Sequence, residues 1–177
     1  MNIPNSITMI RILMAPIFVA ILLTFPEQNS WQRFLALALF VVAISTDGLD
    51  GLIARRTGKV TDLGKLLDPV ADKVLIGGAL LALSFLGEID WWVTAVILSR
   101  EVAVTGYRLV VVRKVTIPAS LAGKLKTILQ AVAIGVVLAP FEVWIPAWSF
   151  FEEGCIYLAL AATLVSGVQF FLAARKS

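Results

Sequence analysis

The chain has 177 residues, of which 59% are hydrophobic and 15% charged, with a formal charge of +3, one cysteine and no histidine. Soluble domains are usually about 45–50% apolar and about 25% charged, so an ordinary water-soluble fold is excluded and a polytopic membrane protein is expected. The cysteine and histidine counts exclude an intramolecular disulfide and argue against zinc, haem or Cys/His nucleophile chemistry.

Six apolar segments, at 7–25, 32–55, 66–86, 91–112, 120–139 and 153–173, approach or exceed the ~17–25 residues that cross a bilayer as helix. Their side chains do not alternate in polarity as barrel strands would. The expected fold is therefore all-α, with six transmembrane helices forming a single domain over 1–177.

At the start, Asn5 and Thr8 precede an apolar run from Ile12 to Phe25 with no small-residue cleavage pattern after it, so the first span is expected to be retained. Pro4 sets the angle at which the chain enters the helix, and Asn5 or Ser6 can cap it. Arg11 either snorkels to headgroup phosphates or faces an internal anionic substrate. Trp31, Trp91 and Trp92 read as interfacial anchors.

Span two turns polar at Ser45, Thr46 and Asp47, opening the stretch DGLDGLIARRTGKVTDLGKLLDPVAD. Asp47 and Asp50 stand three apart and Asp68 and Asp72 four apart, so each pair shares one face of a helix. If the two helices run antiparallel around the turn from Arg55 to Asp62, the pairs converge. Four carboxylates that close repel one another unless a cation lies among them, and all-oxygen donors suit Mg²⁺ or Mn²⁺ with a phosphate to share it. Gly58 supplies a turn or helix end, while Gly51 and Gly64 either let helices pack closely or leave room for a ligand. Pro69 is tolerable where span three begins or bends, Lys73 is a candidate counter-charge, and Gly77 and Gly78 read as packing glycines.

In span four, Arg100 and Glu101 lie deep in an apolar run, where ionised groups usually face the bundle interior. They either form a structural ion pair, although neighbours on a helix point about 100° apart, or serve a polar cavity that Arg108 could close. Of the two lysines opening span five, membrane anchoring suffices for Lys126, and Lys124, beside Gly123, is the better candidate for a site. The 140–152 segment, rich in Pro and Trp, reads as an interfacial connection. Span six reads as scaffold or subunit interface, with Cys155 as a small packing residue near its start.

Basic residues collect at Arg55, Arg56, Lys59 and Lys65, at Arg113 and Lys114, at Lys124 and Lys126, and at Arg175 and Lys176. The opposite connections carry Glu27, then Glu88 and Asp90, then Glu142, Glu152 and Glu153, with only Arg33 nearby. By the positive-inside rule both termini and the aspartates face the cytoplasm, and the basic residues serve the membrane rather than nucleic acid. A cytoplasmic carboxylate cluster could hold two metal ions on a pyrophosphate, with a carboxylate as general base and Arg100, Arg108 and Lys124 on a second phosphate. An ion-coupled transporter is the alternative, but its charges should be distributed through the bilayer, whereas these concentrate at one edge.

The spacing D-x₂-D-G-x₂-A-R-x₈-G-x₃-D-x₃-D is met without departure by Asp47, Asp50, Gly51, Ala54, Arg55, Gly64, Asp68 and Asp72. In this it resembles the CDP-alcohol phosphatidyltransferases. NIPNSITMIR, LLDPVADK, REVAVTGYR and GKLKT narrow the resemblance to bacterial members that use sn-glycerol 3-phosphate as acceptor. Relatives using inositol phosphate, serine or phosphatidylglycerol stand as alternatives, and residue chemistry alone does not separate the phosphorylated acceptors.

The resemblance implies a homodimer of six-helix subunits in the bacterial cytoplasmic membrane, with a cavity open to the cytoplasm. It implies that Asp47, Asp50 and Asp68 bind Mg²⁺ or Mn²⁺, about two ions per subunit, and that Asp72 contacts metal and is the base. Gly51, Arg55 and Gly64, with Asn5 and Thr8 nearby, would hold the cytidine diphosphate end of CDP-diacylglycerol beside Asp47, Asp50 and Asp68. Arg100, Arg108 and Lys124 would receive the acceptor's phosphate.

Overall fold

The computed structural model describes residues 3–24, 30–57, 62–111 and 121–175, and within them the side chains of 9–10, 12–24, 31–46, 73–107, 121–142 and 144–175. The described residues form helices α1 (Ile3–Thr24), α2 (Ser30–Thr57), α3 (Asp62–Phe85), α4 (Trp91–Val111), α5 (Leu121–Leu138) and α6 (Trp148–Arg175), with one 3₁₀ turn at Phe141–Val143 and no strand. The chain divides into two compact units, Met1–Leu86 with Leu138–Pro140, and Gly87–Val137 with Phe141–Ser177.

In the first unit α1 packs on both α2 and α3, and α2 touches α3. The buried residues recur at helical spacing: Ala15, Phe18 and Leu22 on α1, Ala36, Phe40 and Ala43 on α2, and Leu75, Ala79, Ala82 and Leu83 on α3. Phe18 and Phe40 meet with ring centroids 5.7 Å apart. Small residues let the backbones approach: a Cβ on Gly78 would stand 3.2 Å from Val19 Cγ2, which makes Gly78 the packing glycine its sequence suggests. Gly87, at φ 79°, ends α3 in the left-handed conformation common just past a helix C-terminus.

In the second unit α4 packs against α6, with Val93, Ile97 and Val104 buried on α4 and Ile156, Ala159, Leu160 and Phe170 on α6. α5 buries Lys126, Gln130, Ala133, Ile134 and Val137. Trp148 packs edge-on against Phe141 at 5.0 Å and donates its indole N–H to Val136 O at 3.3 Å, tying the 3₁₀ turn and the start of α6 to the end of α5.

Large apolar side chains also cover the outside, among them Leu13, Val42, Val102, Ile128 and Val168. So much exposed aliphatic surface suits lipid rather than water. Among the described residues, α5 and α6 are long and apolar enough to cross a membrane, and the apolar parts of three other helices are shorter: Ile12–Thr24, Trp31–Thr46 and Lys73–Phe85. Trp31, Trp91 and Trp92 are exposed at helix starts, as interfacial anchors should be.

Several boundaries differ from the apolar segments because helix hydrogen bonding continues where hydrophobicity stops. α1 begins before Asn5 and Ser6, so neither is the cap, and Pro4 lies in the first turn, where a missing N–H costs nothing. α3 begins at Asp62, which places Pro69 in its interior and deprives the Lys65 carbonyl of its helical partner. α6 begins at Trp148, so 148–152 is helix rather than connection, and Cys155 is a half-buried free thiol about two turns in.

Candidate active site

The carboxylate motif lies on two consecutive helices of the first unit. Thr46, which opens its polar part, directs its hydroxyl back to Val42 O (3.1 Å) and Ala43 O (2.8 Å), so its own donor is satisfied within the helix. α2 then carries Asp47, Asp50, Gly51 and Arg55 to its end at Thr57, and α3 carries Gly64, Asp68 and Asp72 from its start at Asp62. Positions three apart lie about 60° apart around a helix axis and positions four apart about 40°, so each aspartate pair occupies one face of its backbone.

α2 and α3 touch and are separated by only the four residues 58–61, a spacing that favours antiparallel neighbours. Asp47 lies ten residues before the end of α2 and Asp72 ten after the start of α3. Both are roughly 15 Å along their helices from the connection at about 1.5 Å per residue. Asp50 and Asp68 are seven and six residues from it, so they too sit at matching height. Asn5 and Thr8 are in the first turns of α1. The side chains of Asn5, Thr8, Arg11, Asp47, Asp50, Arg55, Asp68, Asp72 and Arg108 lie outside the described residues, as do the surroundings of Gly51 and Gly64. Among the described residues no three carboxylate or thiol groups come together.

The second unit contains a buried polar cluster that joins three helices. Glu101 on α4 uses one oxygen, Oε1, to accept from Arg100 Nη1 at 2.9 Å and from Lys126 Nζ on α5. Arg100 Nη2 donates to Ser166 Oγ on α6 at 2.9 Å. Ser166 in turn donates to Thr163 O at 3.0 Å. One turn further along α5, Gln130 Nε2 donates to Thr163 Oγ1 at 2.9 Å. Lys126 is only 6% exposed. A charge that deep is tolerated only when paired, and Glu101 supplies the pair.

Adjacent helical residues do not face each other, yet Arg100 and Glu101 do pair. The guanidinium arm is long enough to curl back round the helix. Its aliphatic part lies on α6 at Gly167, where a Cβ would stand 3.2 Å from Arg100 Cγ and 3.3 Å from Nε. The Nε–H is buried and has no hydrogen-bond partner among the described residues.

Arg100 and Arg108 are both on α4, and Lys124 is on α5. Lys124 is exposed and shares its face with Leu121, Leu125 and Ile128. The lysine brought to Arg100's carboxylate partner is Lys126, in contrast to the anchoring role its sequence position suggests. A sequence signal for it existed: Lys126, Gln130, Ala133, Ile134 and Val137 follow the helical stripe of the buried face, and Lys124 falls off that stripe. Ser166 and Gly167 gave no such signal in a helix of small and aliphatic residues.

The sequence model of the CDP-alcohol phosphatidyltransferase family matches residues 1–168. The chain is 49% identical to a protein of Mycobacterium tuberculosis named "Probable phosphatidylglycerophosphate synthase", over 80% of this chain and 68% of that protein. It is 39% identical to the CDP-diacylglycerol--glycerol-3-phosphate 3-phosphatidyltransferase of Bacillus subtilis, over 96% of this chain and 93% of the relative. The enzyme of the same name from Rickettsia felis is 37% identical, over 99% of this chain and 96% of its own.

Proposed function

We infer the reaction from one premise: the chain belongs to the CDP-alcohol phosphatidyltransferase family. The protein is an enzyme of the phosphatidylglycerophosphate synthase type, moving the phosphatidyl group of CDP-diacylglycerol to sn-glycerol 3-phosphate and releasing CMP. Near full-length similarity to relatives named for this activity, with the eight-position aspartate motif intact, carries this conclusion.

Asp47, Asp50, Asp68 and Asp72 offer only carboxylate oxygens, at matching heights on α2 and α3, a donor set that fits a hard divalent cation such as Mg²⁺ or Mn²⁺. These four would hold about two ions per subunit, which would supply charge neutralisation at the pyrophosphate. Asp72 accepts the proton of the acceptor's primary hydroxyl as that oxygen attacks the diacylglycerol-linked phosphorus. The new P–O bond forms as the bond to the CMP phosphate oxygen breaks, and CMP leaves with the electron pair. Asn5, Thr8, Gly51, Arg55 and Gly64 surround the cytidine diphosphate end, and Arg100, Arg108 and Lys124 receive the acceptor's phosphate.

The matched range, 1–168, runs through both compact units, which supports one functional domain. The charge asymmetry of the connections supports six spans in the bacterial cytoplasmic membrane, with both termini and the active site on the cytoplasmic side. Two subunits would assemble as a homodimer. The test is CMP release by purified protein with CDP-diacylglycerol, glycerol 3-phosphate and Mg²⁺. Release that stops on chelation, returns with metal and is lost in Asp72→Asn supports the mechanism; release indifferent to metal overturns it.

A further inference from the structure

We propose that α6, through Ser166 and Gly167, is the positioning element that orients Arg100 toward the phosphate of the acceptor alcohol. This rests on the assignment of Arg100 to that phosphate made above. It gives a role to a helix with no Asp, Glu, Lys or Arg between Glu153 and Arg175.

Three contacts fix the guanidinium. Ser166 spends its single hydroxyl proton on Thr163 O, so the oxygen meets Arg100 Nη2 with a lone pair and acts there as an acceptor only. Glu101 Oε1 takes one N–H from Nη1. Gly167 is the shelf: the arm lies where a side chain would otherwise stand, with Cγ, Nε and Cδ of Arg100 at 3.2, 3.3 and 3.9 Å from the site of the missing Cβ.

A guanidinium carries five N–H donors in a rigid fork. The two bonds to Ser166 and Glu101 leave one N–H on each terminal nitrogen, together with the buried Nε–H that has no partner among the described residues. The two on the terminal nitrogens are what a phosphate's oxygens can accept from, while the Nε–H stays covered by α6 at Gly167. The arm is thus held before the ligand arrives, and preorganisation of this kind improves binding of the group concerned rather than the chemical step. Were Ser166 and Gly167 only a seam between α4 and α6, removing them would weaken the fold without favouring one substrate over the other.

The experiment uses full-length enzyme in detergent and measures KM for glycerol 3-phosphate and for CDP-diacylglycerol separately, with inorganic phosphate as a competing anion. Gly167→Ala should raise KM for glycerol 3-phosphate about tenfold and weaken phosphate inhibition by a similar factor, while KM for CDP-diacylglycerol stays within about twofold. Ser166→Ala should shift the same constants about threefold to fivefold. Alanine is the better helix former, so a loss in Gly167→Ala is not helix weakening. Gly154→Ala, on the same helix with open space around its Cβ, is the control and should change neither constant.

Arg100→Ala separates the two ways of being wrong. If it leaves KM for glycerol 3-phosphate unchanged, the phosphate assignment falls and the positioning role with it. If it raises that KM while Gly167→Ala and Ser166→Ala both leave it within about twofold, or shift both substrates equally, the positioning role alone is overturned. Should Gly167→Ala not fold, Ser166→Ala decides.

Discussion

At the scale of single residues, two lysines two positions apart have opposite surroundings. Lys126 is buried against Glu101, and Lys124 is exposed. Truncating one partner of a buried pair strands the other charge, so Lys126→Met should destabilise the protein by about 3 kcal/mol. Lys124→Met should stay within about 0.5 kcal/mol, since surface substitutions usually do. Thermal unfolding in detergent compares the two, and equal losses would refute the buried pair. Asp72→Asn, at the proposed general base, should instead lower kcat by about 10²–10⁴ with the unfolding midpoint unchanged. The aspartate motif was legible in the sequence because fixed spacing is visible in a string of letters, and its placement on α2 and α3 is what the backbone adds. The burial of Lys126 was less legible, because it shows only in the helical stripe that Lys126 shares with Gln130 and Ile134.

Among the elements, the six apolar stretches correspond to six helices of the described residues, because a long, mostly aliphatic run satisfies its backbone most readily as helix. Their ends were less legible. Asp62 to Lys65 and Trp148 to Glu152 are helical despite polar or aromatic composition, since hydrophobicity marks where lipid is and not where hydrogen bonding stops. The glycines sort by surroundings. Gly78→Ala would push a methyl against Val19 and should cost about 1 kcal/mol. Gly87→Ala strains a positive φ and should cost a similar amount, about 1 kcal/mol. Gly154→Ala meets open space within a helix and should stabilise by up to about 1 kcal/mol. Unfolding midpoints of the three variants give the order, and a stabilised Gly78→Ala would contradict the close approach of α1 and α3.

For the whole molecule, charge placement makes a prediction about sidedness. In a Cys155→Ser background, a cysteine replacing Ser177 should react with an impermeant thiol reagent only in inverted vesicles, and one replacing exposed Glu142 only in right-side-out vesicles. The reverse pattern would invert the topology and move the aspartates away from the cytoplasm. The polar cluster of α4, α5 and α6 was only half visible from the sequence. Arg100 and Glu101 stand out as charges in an apolar run, but their partners come from helices 25 and 66 positions away in the chain, and only folding brings those together.

The choice of acceptor is tested by offering purified enzyme Mg²⁺, CDP-diacylglycerol and one alcohol at a time, scored by CMP release and by the mass of the lipid formed. Phosphatidylglycerophosphate from sn-glycerol 3-phosphate, with no comparable product from inositol phosphate, serine or phosphatidylglycerol, is the predicted result. A lipid product formed preferentially from one of the other alcohols would contradict it.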